Sequence, residues 1–174
     1  MFVHITSGTF DFLRKKRDQH RDENMLLLQN AESTFLVHES NDKKSFFSSP
    51  RSYEHVDAVG ELKQKGFIVM NNIPVSKEGR PIFEHRFKNR PGQIENQPGF
   101  WAIRILRPLH SDTYIILTQW ENEKSFNEWQ NSQSFSHAHG QKQDGQEASS
   151  TTTIFSGSSY VTKYIVPVLE DEVF

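Results

Sequence analysis

The sequence predicts an α+β protein. A ferredoxin-like βαββαβ domain fills the last two thirds, and a partial β-α-β-β segment before it completes a pseudo-dimer. Three observations carry this. After residue 66, apolar runs of strand length alternate with stretches of helical period in the order β-α-β-β-α-β. Glycine and proline fall between those runs and seldom inside them. The first third shows the opening of the same order, although no residue-level repeat is visible.

Phe2 to Ile5 reads as a short edge strand, and Ser7-Gly8 ends it. From Thr9 to about His20 the pattern is helical, with Phe12 and Leu13 apolar and Arg14, Lys15, Lys16, Arg17 and Arg21 basic. Such a run can grip an acidic partner; a solvated helix face is the ordinary alternative. Met25 to Gln29 and Thr34 to Val37 read as strands with a turn near Asn30 and Ala31. Ser45 to Pro50 is a short aromatic segment ending in a turn, and Tyr53 to Leu62 reads as weakly helical. His4, His20, His38 and His55 share no metal-ligand spacing and read as surface or packing residues. Lys63 to Gly66 is polar and ends in glycine, which places a boundary between segments 1–65 and 66–174.

The second segment opens on the strand Phe67 to Ile73, ended by Pro74. Ser76 to Arg80 turns the chain, and Pro81 suits the first turn of a helix in which Ile82, Phe83 and Phe87 recur through Asn89. Pro91-Gly92 and Pro98-Gly99 punctuate a loop. Phe100 to Leu106 and Thr113 to Trp120 are strands, paired antiparallel through a connection of hairpin length around His110 to Asp112. A helical region follows from Trp120 to His139, then a polar low-complexity stretch from Gly140 to Thr153. Tyr160 to Val166 is the last strand, closed by Pro167.

At 174 residues with a net charge of -2, the chain can bury a core and gives no electrostatic reason to expect nucleic acid. It has no cysteine, which excludes disulfides, thiolate nucleophiles, zinc-cysteine sites and covalent c-type heme attachment. No run approaches the roughly 18 apolar residues of a membrane span, and the N-terminus lacks a signal-peptide core. A cytoplasmic protein without membrane insertion is expected. Fourteen phenylalanines and three tryptophans are many for so polar a chain, and point to an aromatic core or an aromatic-lined pocket.

The stretch WENEKSFNEWQNSQSFSHAH, Trp120 to His139, concentrates the chemistry. Phe126, Trp129 and Phe135 give it an aromatic face, and His139 follows ten residues after Trp129. An imidazole beside a broad aromatic surface suits a flat apolar ligand with a metal at its centre, and heme is the obvious one. Asn131 and Ser132 favour a break that would bring indole and imidazole to one cavity. Phe135 and His139 are four apart and share a helix face, whereas His137 does not, which favours His139 as ligand. The competing readings are a histidine near a helix C-terminus and a plain packing stripe of Phe126 and Trp129.

Asn71 and Asn72 fit poorly into a buried strand unless their amides are satisfied. Successive side chains point to opposite faces. Asn72 therefore shares a face with Ile68 and Met70, and Asn71 with Phe67, Val69 and Ile73, so one amide should look toward the helices. Arg80, Arg86, Lys88 and Arg90 cluster on and after the first helix of this segment, where they could neutralise carboxylates of a ligand. There is no glycine-rich phosphate loop, no nucleophile-base-acid arrangement and no telling carboxylate pair.

Asn72 with Gly79 seven residues on, LTQW followed by S-F-x-x-W-x-x-S holding Trp129 and Ser132, F-x-x-x-H holding Phe135 and His139, P-G-F at Pro98 to Phe100 and L-R-P at Leu106 to Pro108 together resemble the heme-degrading monooxygenases of the IsdG type. These belong to the antibiotic biosynthesis monooxygenase (ABM) group of dimeric α/β-barrels. The likeness covers about residues 66–166, and the long layout is similar to the Bacillus-type members. The family's functional trio falls on Asn72, Trp129 and His139. The resemblance implies heme as both cofactor and substrate, with dioxygen and an external electron donor, supplied by an unidentified reductase. His139 would be the axial metal ligand, with Phe135, Trp129 and Asn72 lining the site. Asn72 would hydrogen-bond the reacting oxygen and Trp129 would distort the porphyrin, which opens to a bilin-like product and releases iron. The N-terminal segment would take a second subunit's place, leaving monomer and homodimer both open. A heme carrier, a TRAP-like regulatory protein and a cofactor-independent ABM monooxygenase are the alternatives.

Overall fold

The computed structural model describes residues 1–90, 92–132 and 154–169. Its first strands are β1 (Phe2–Ser7), β2 (Asn24–Gln29), β3 (Thr34–Ser40) and β4 (Arg51–Gly60), with helix α1 (Phe10–Gln19) after β1. The second set is β5 (Phe67–Pro74), β6 (Phe100–Pro108), β7 (Thr113–Trp120) and β8 (Tyr160–Ile165). Helix α2 (Arg80–Lys88) and a 3-10 turn (Ile94–Asn96) join β5 to β6, and helix α3 spans 123–132 after β7. Among the described residues no helix is long and apolar enough to cross a membrane.

Among the described residues all strand pairs are antiparallel, and eight strands close into a barrel in the order β1-β3-β2-β8-β5-β7-β6-β4. The first four run β4-β1-β3-β2 and the last four β8-β5-β7-β6, which is the ferredoxin-like order written twice. The α+β, pseudo-dimeric architecture expected from the sequence is therefore present. Closure removes the free edges that two open sheets would expose.

One element differs. Tyr53 to Leu62, expected to be weakly helical, is mostly strand β4. A bulge between His55 and Asp57 shifts its register against β6. Tyr53 points into the barrel core, whereas Val56 and Val59 pack on the outer core beneath α2. The bulge converts the two-residue strand period into a three-residue spacing that imitates a helix. Gly60 ends the strand at φ 78, where a Cβ would sit 2.1 Å from the Trp101 carbonyl oxygen.

The barrel interior holds Val3, Ile5, Leu26, Leu28, Val37, Ile68, Met70, Leu106, Ile115, Leu117 and Tyr164. Alternate residues of the same strands face outward and pack under the helices. α1 covers Leu13, Met25, Leu27 and Leu36, a core that Phe47 and Leu169 complete. It starts at Thr9, whose hydroxyl accepts the Phe12 N–H. α2 starts with Pro81 in its first turn and buries Phe83 against Tyr114. Its Glu84 accepts from Arg107 Nε at 2.8 Å and Nη2 at 2.6 Å, and from the Tyr114 hydroxyl, which fastens the helix to β6 and β7.

Two joints hold the halves together. β4 pairs with β6 from Tyr53 to Gly60, whereas β2 pairs with β8 only at Gln29–Ile165 among the described residues. Two positions further on, Pro167 has no N–H to offer Leu27. The Gln64 amide stands there instead: Oε1 accepts from Leu27 N at 2.9 Å, and Nε2 donates to Leu27 O and Pro167 O at 2.8 Å. Across the barrel, Arg104 of β6 donates to Glu39 of β3 through Nε at 2.8 Å and binds the Val59 and Gly60 carbonyls.

Candidate functional site

A cavity of about 580 Å³ lies outside the barrel, between the sheet and the helices of the second half. Val69 and Asn71 of β5, Ile103 of β6, Ile116 and Thr118 of β7 and Val161 of β8 form its floor. Phe87 of α2, then Arg90, Gln93 and Ile94, make one wall; Phe126, Trp129 and Gln130 of α3 make the other. Mostly apolar walls, a few amides and one cation suit a flat apolar ligand bearing negative groups. Among the described lining residues Arg90 carries the only formal charge.

Local sequence builds each wall. Asn122 caps α3, its Oδ1 accepting the Ser125 N–H at 2.9 Å and the Ser125 hydroxyl at 3.1 Å. That start directs Phe126 into a cluster with Phe67, Val69 and Trp120, and sets Trp129 one turn later against the same cluster. Trp129 packs 5.7 Å from the Trp120 ring and 6.1 Å from Phe126. Its Nε1 is buried and has no hydrogen-bond partner among the described residues. On the other wall, Gly79 precedes α2 because the chain at Ile154 passes so close that a Cβ would lie 2.5 Å from its carbonyl oxygen.

Arg90 is preorganised. Nη1 donates to Asp57 Oδ2 at 2.7 Å and to Phe87 O at 2.9 Å, and Nη2 donates to Glu95 Oε1 at 2.6 Å. The guanidinium hydrogen bond holds the Asp57 carboxyl below its usual range against some desolvation. Of the four basic residues singled out in the sequence, Arg90 lines the cavity; Arg86 and Lys88 are exposed, and Arg80 packs over Tyr114.

The two asparagines separate across the sheet. The alternation read from the sequence holds: Ile68 and Met70 are in the barrel interior, while Phe67, Val69 and Ile73 lie in the outer cores. Asn71 is half-buried on the outer face and lines the cavity with Trp129. Asn72 is only 4 % exposed, on the inner face. Its Nδ2 donates to Tyr160 O and Met70 O at 3.2 Å and to Thr162 Oγ1 at 3.3 Å. The expectation that Asn72 faces the ligand is corrected here: a one-residue step moves a strand side chain to the other face, and the Asn72 amide is consumed by β8. Phe135 and His139 lie outside the described residues.

Sequence reasoning also passed over Thr118. It is 6 % exposed, lines the cavity and accepts the Trp120 indole N–H at 2.9 Å. Its place two residues before Trp120 in LTQW, on the same strand face, was the available signal.

Comparison with known proteins sets several likenesses beside this geometry. Residues 66–141 match the model of the family described as antibiotic biosynthesis monooxygenase. Among curated proteins, the chain is 25% identical over 170 residues to the signal transduction protein TRAP of Staphylococcus epidermidis, spanning 97% of this chain and 98% of that one. It is 27% identical over 130 residues to a heme-degrading monooxygenase of Listeria monocytogenes, spanning 75% and 77% of the two chains. Among solved structures, the heme-degrading enzyme LmHde of Listeria monocytogenes superposes with a TM-score of 0.70 at 23% identity, over 96% of this chain and all of that one, and so shares its fold.

Proposed function

We propose that this chain, whose residues 66–141 match the model of the family described as antibiotic biosynthesis monooxygenase, is a heme-degrading monooxygenase working in the cavity between α2, α3 and the outer sheet face. The observation that carries the reading is the joint presence of Asn71, Trp129 and Arg90 on one mostly apolar cavity with no carboxylate among its described lining residues. Heme is a flat apolar ring with two carboxylates, and this lining complements both features. The indole N–H of Trp129, without a partner among the described residues, fits a site that awaits a ligand.

Bound heme, with dioxygen and an external reductant, supplies the oxidising chemistry and is itself the substrate, opened to a bilin-like product with release of iron. The chain's residues do the rest. Asn71 presents an amide donor at the cavity floor, the role the sequence resemblance laid on Asn72. Trp129, backed by Trp120 and Phe126, holds a rigid aromatic surface against the ring. Arg90, oriented by Asp57 and Glu95, has a second Nη2 N–H left to donate to a ligand carboxylate. Ile103, Ile116, Val69 and Phe87 exclude water. His139, ten residues past Trp129 in the sequence, would hold the iron, and Phe135, four residues before it, would contribute to the site, a proposal made on their sequence positions. One chain supplies all eight strands, and the core under α1 is filled by Phe47 and Leu169, which supports a monomer with one heme site.

The near full-length likeness to TRAP favours a second reading, a regulatory protein on the same barrel without turnover. A hemin titration followed by ascorbate in air, with catalase present, separates them. Saturable one-to-one binding and then loss of the Soret band with iron release is expected. A stable Soret band, or no binding at all, would overturn the enzymatic reading.

A further inference from the structure

The aromatic wall of the cavity leans on a residue that does not line it. Trp120 is fully buried at the end of β7. Its ring lies 5.7 Å from Trp129 with a 33° tilt, and it meets Phe126 and Phe100 edge-on at 5.8 Å and 5.7 Å. An indole has a single hydrogen-bond donor. That donor, Nε1, is given to Thr118 Oγ1 at 2.9 Å, and both atoms are buried. To the packing, the hydrogen bond adds a directional constraint at one corner of the ring, fixing which edge points to the floor and which face meets Trp129.

The strand makes this arrangement possible. Thr118 and Trp120 are two apart and stand on the same face, so a short hydroxyl side chain reaches the neighbouring indole. Valine would fill the same space and serve the strand as well, but would leave the N–H unpartnered. Serine would keep the acceptor. The hydroxyl at 118 is therefore the distinctive requirement.

We propose that Thr118 is a positioning residue: it acts through Trp120 to set the plane of Trp129, and hence the aromatic surface that the cavity presents to its ligand. The claim about the ring plane stands on the ligand-free chain, and only its consequence for ring opening rests on the heme reading. A residue serving solely to satisfy a buried N–H would leave Trp129 untouched.

The test uses the full chain labelled with 5-fluorotryptophan, whose three tryptophan signals are assigned by single Trp→Phe variants. In Thr118→Val, the fluorine signals of both Trp120 and Trp129 are expected to shift and broaden, and in Thr118→Ser both are expected to keep their wild-type positions. A Thr118→Val chain in which Trp120 moves but Trp129 keeps its shift and width would overturn the proposal. If the valine variant does not fold, Thr118→Ala takes its place with the same readouts. With hemin, Thr118→Val is expected to alter the ratio of ring-opened isomers while Thr118→Ser keeps it, and an unchanged ratio in Thr118→Val would overturn the functional consequence. A wild-type chain that fails to bind hemin would defeat the heme reading and leave the fluorine comparison intact.

Discussion

Asn71 on β5 and Trp129 on α3 line the same cavity, one from the floor and one from the wall. Trp129 owes its place to packing on Trp120 and Phe126, and its indole N–H has no hydrogen-bond partner among the described residues. Trp129→Phe keeps an aromatic ring at this place but loses the extent and fixed tilt of the indole. Misplacement of a reacting group by about 1 Å costs on the order of 100-fold in rate. Trp129→Phe is accordingly expected to slow heme ring opening by roughly 10- to 100-fold, with hemin affinity changed much less. Single-turnover absorbance kinetics beside an equilibrium titration would show the split.

Arg90 brings the cavity a guanidinium aligned by Asp57 and Glu95, whose carboxylates share its charge and leave a second Nη2 N–H for a ligand. A hydrogen bond to a charged group contributes about 1.5–3 kcal/mol. Arg90→Gln should therefore weaken hemin binding by about tenfold or more. The dimethyl ester of hemin lacks the carboxylates, so its affinity should be nearly the same for both proteins. An equal loss with the ester would mean that Arg90 serves structure alone.

Inside the barrel, Glu39 sits with Arg104 Nε at 2.8 Å and His55 Nε2 at 3.0 Å. Burial alone would lift its carboxyl; the hydrogen bonds and charges of His55 and Arg104 outweigh it and hold the group at about 2, against an ordinary 4.5. A depressed carboxyl binds fewer protons folded than unfolded. Its stabilisation is complete above about pH 4.5 and is lost as pH falls toward 2, amounting to roughly 3 kcal/mol. Urea unfolding followed against pH should show that acid limb. Arg104→Met alone should cost about 3–5 kcal/mol and flatten the limb, whereas Glu39→Leu with Arg104→Met should come close to wild type.

The β2–β8 joint depends on a side chain that acts as a missing backbone. Gln64→Ala leaves the Leu27 N–H without its acceptor. An unsatisfied buried donor costs about 1–3 kcal/mol. Hydrogen exchange at the Leu27 amide should then quicken by roughly 10- to 100-fold, while amides along the β4–β6 joint keep their protection. Unchanged exchange at Leu27 would show that the joint holds without Gln64.

Much of this was legible in the residues. The apolar runs of β5, β6 and β7 announced their strands, and the two faces of β5 followed from alternation alone. The bulge in β4 was not legible, because an inserted residue puts Val56 and Val59 on one face at a helix-like spacing of three. The choice between Asn71 and Asn72 needed β8, whose Tyr160 carbonyl and Thr162 hydroxyl occupy one amide and leave the other to the cavity. Lys63 to Gly66 looked like a plain polar connection. Its backbone is clasped by Gln119, with Lys63 N to Oε1 at 2.8 Å and Nε2 to Lys65 O at 2.8 Å, long-range contacts no local pattern encodes.

The most direct test compares Asn71→Ala with Asn72→Ala in the full chain, each loaded with hemin and given ascorbate in air with catalase. Removing a positioned donor of this kind costs on the order of 100- to 1000-fold in rate. Asn71→Ala is expected to bind hemin and hold its Soret band, while Asn72→Ala, somewhat less stable, loses the band at close to the wild-type rate. Full turnover in Asn71→Ala together with a stalled Asn72→Ala would contradict the assignment and put the working amide on the inner face of β5.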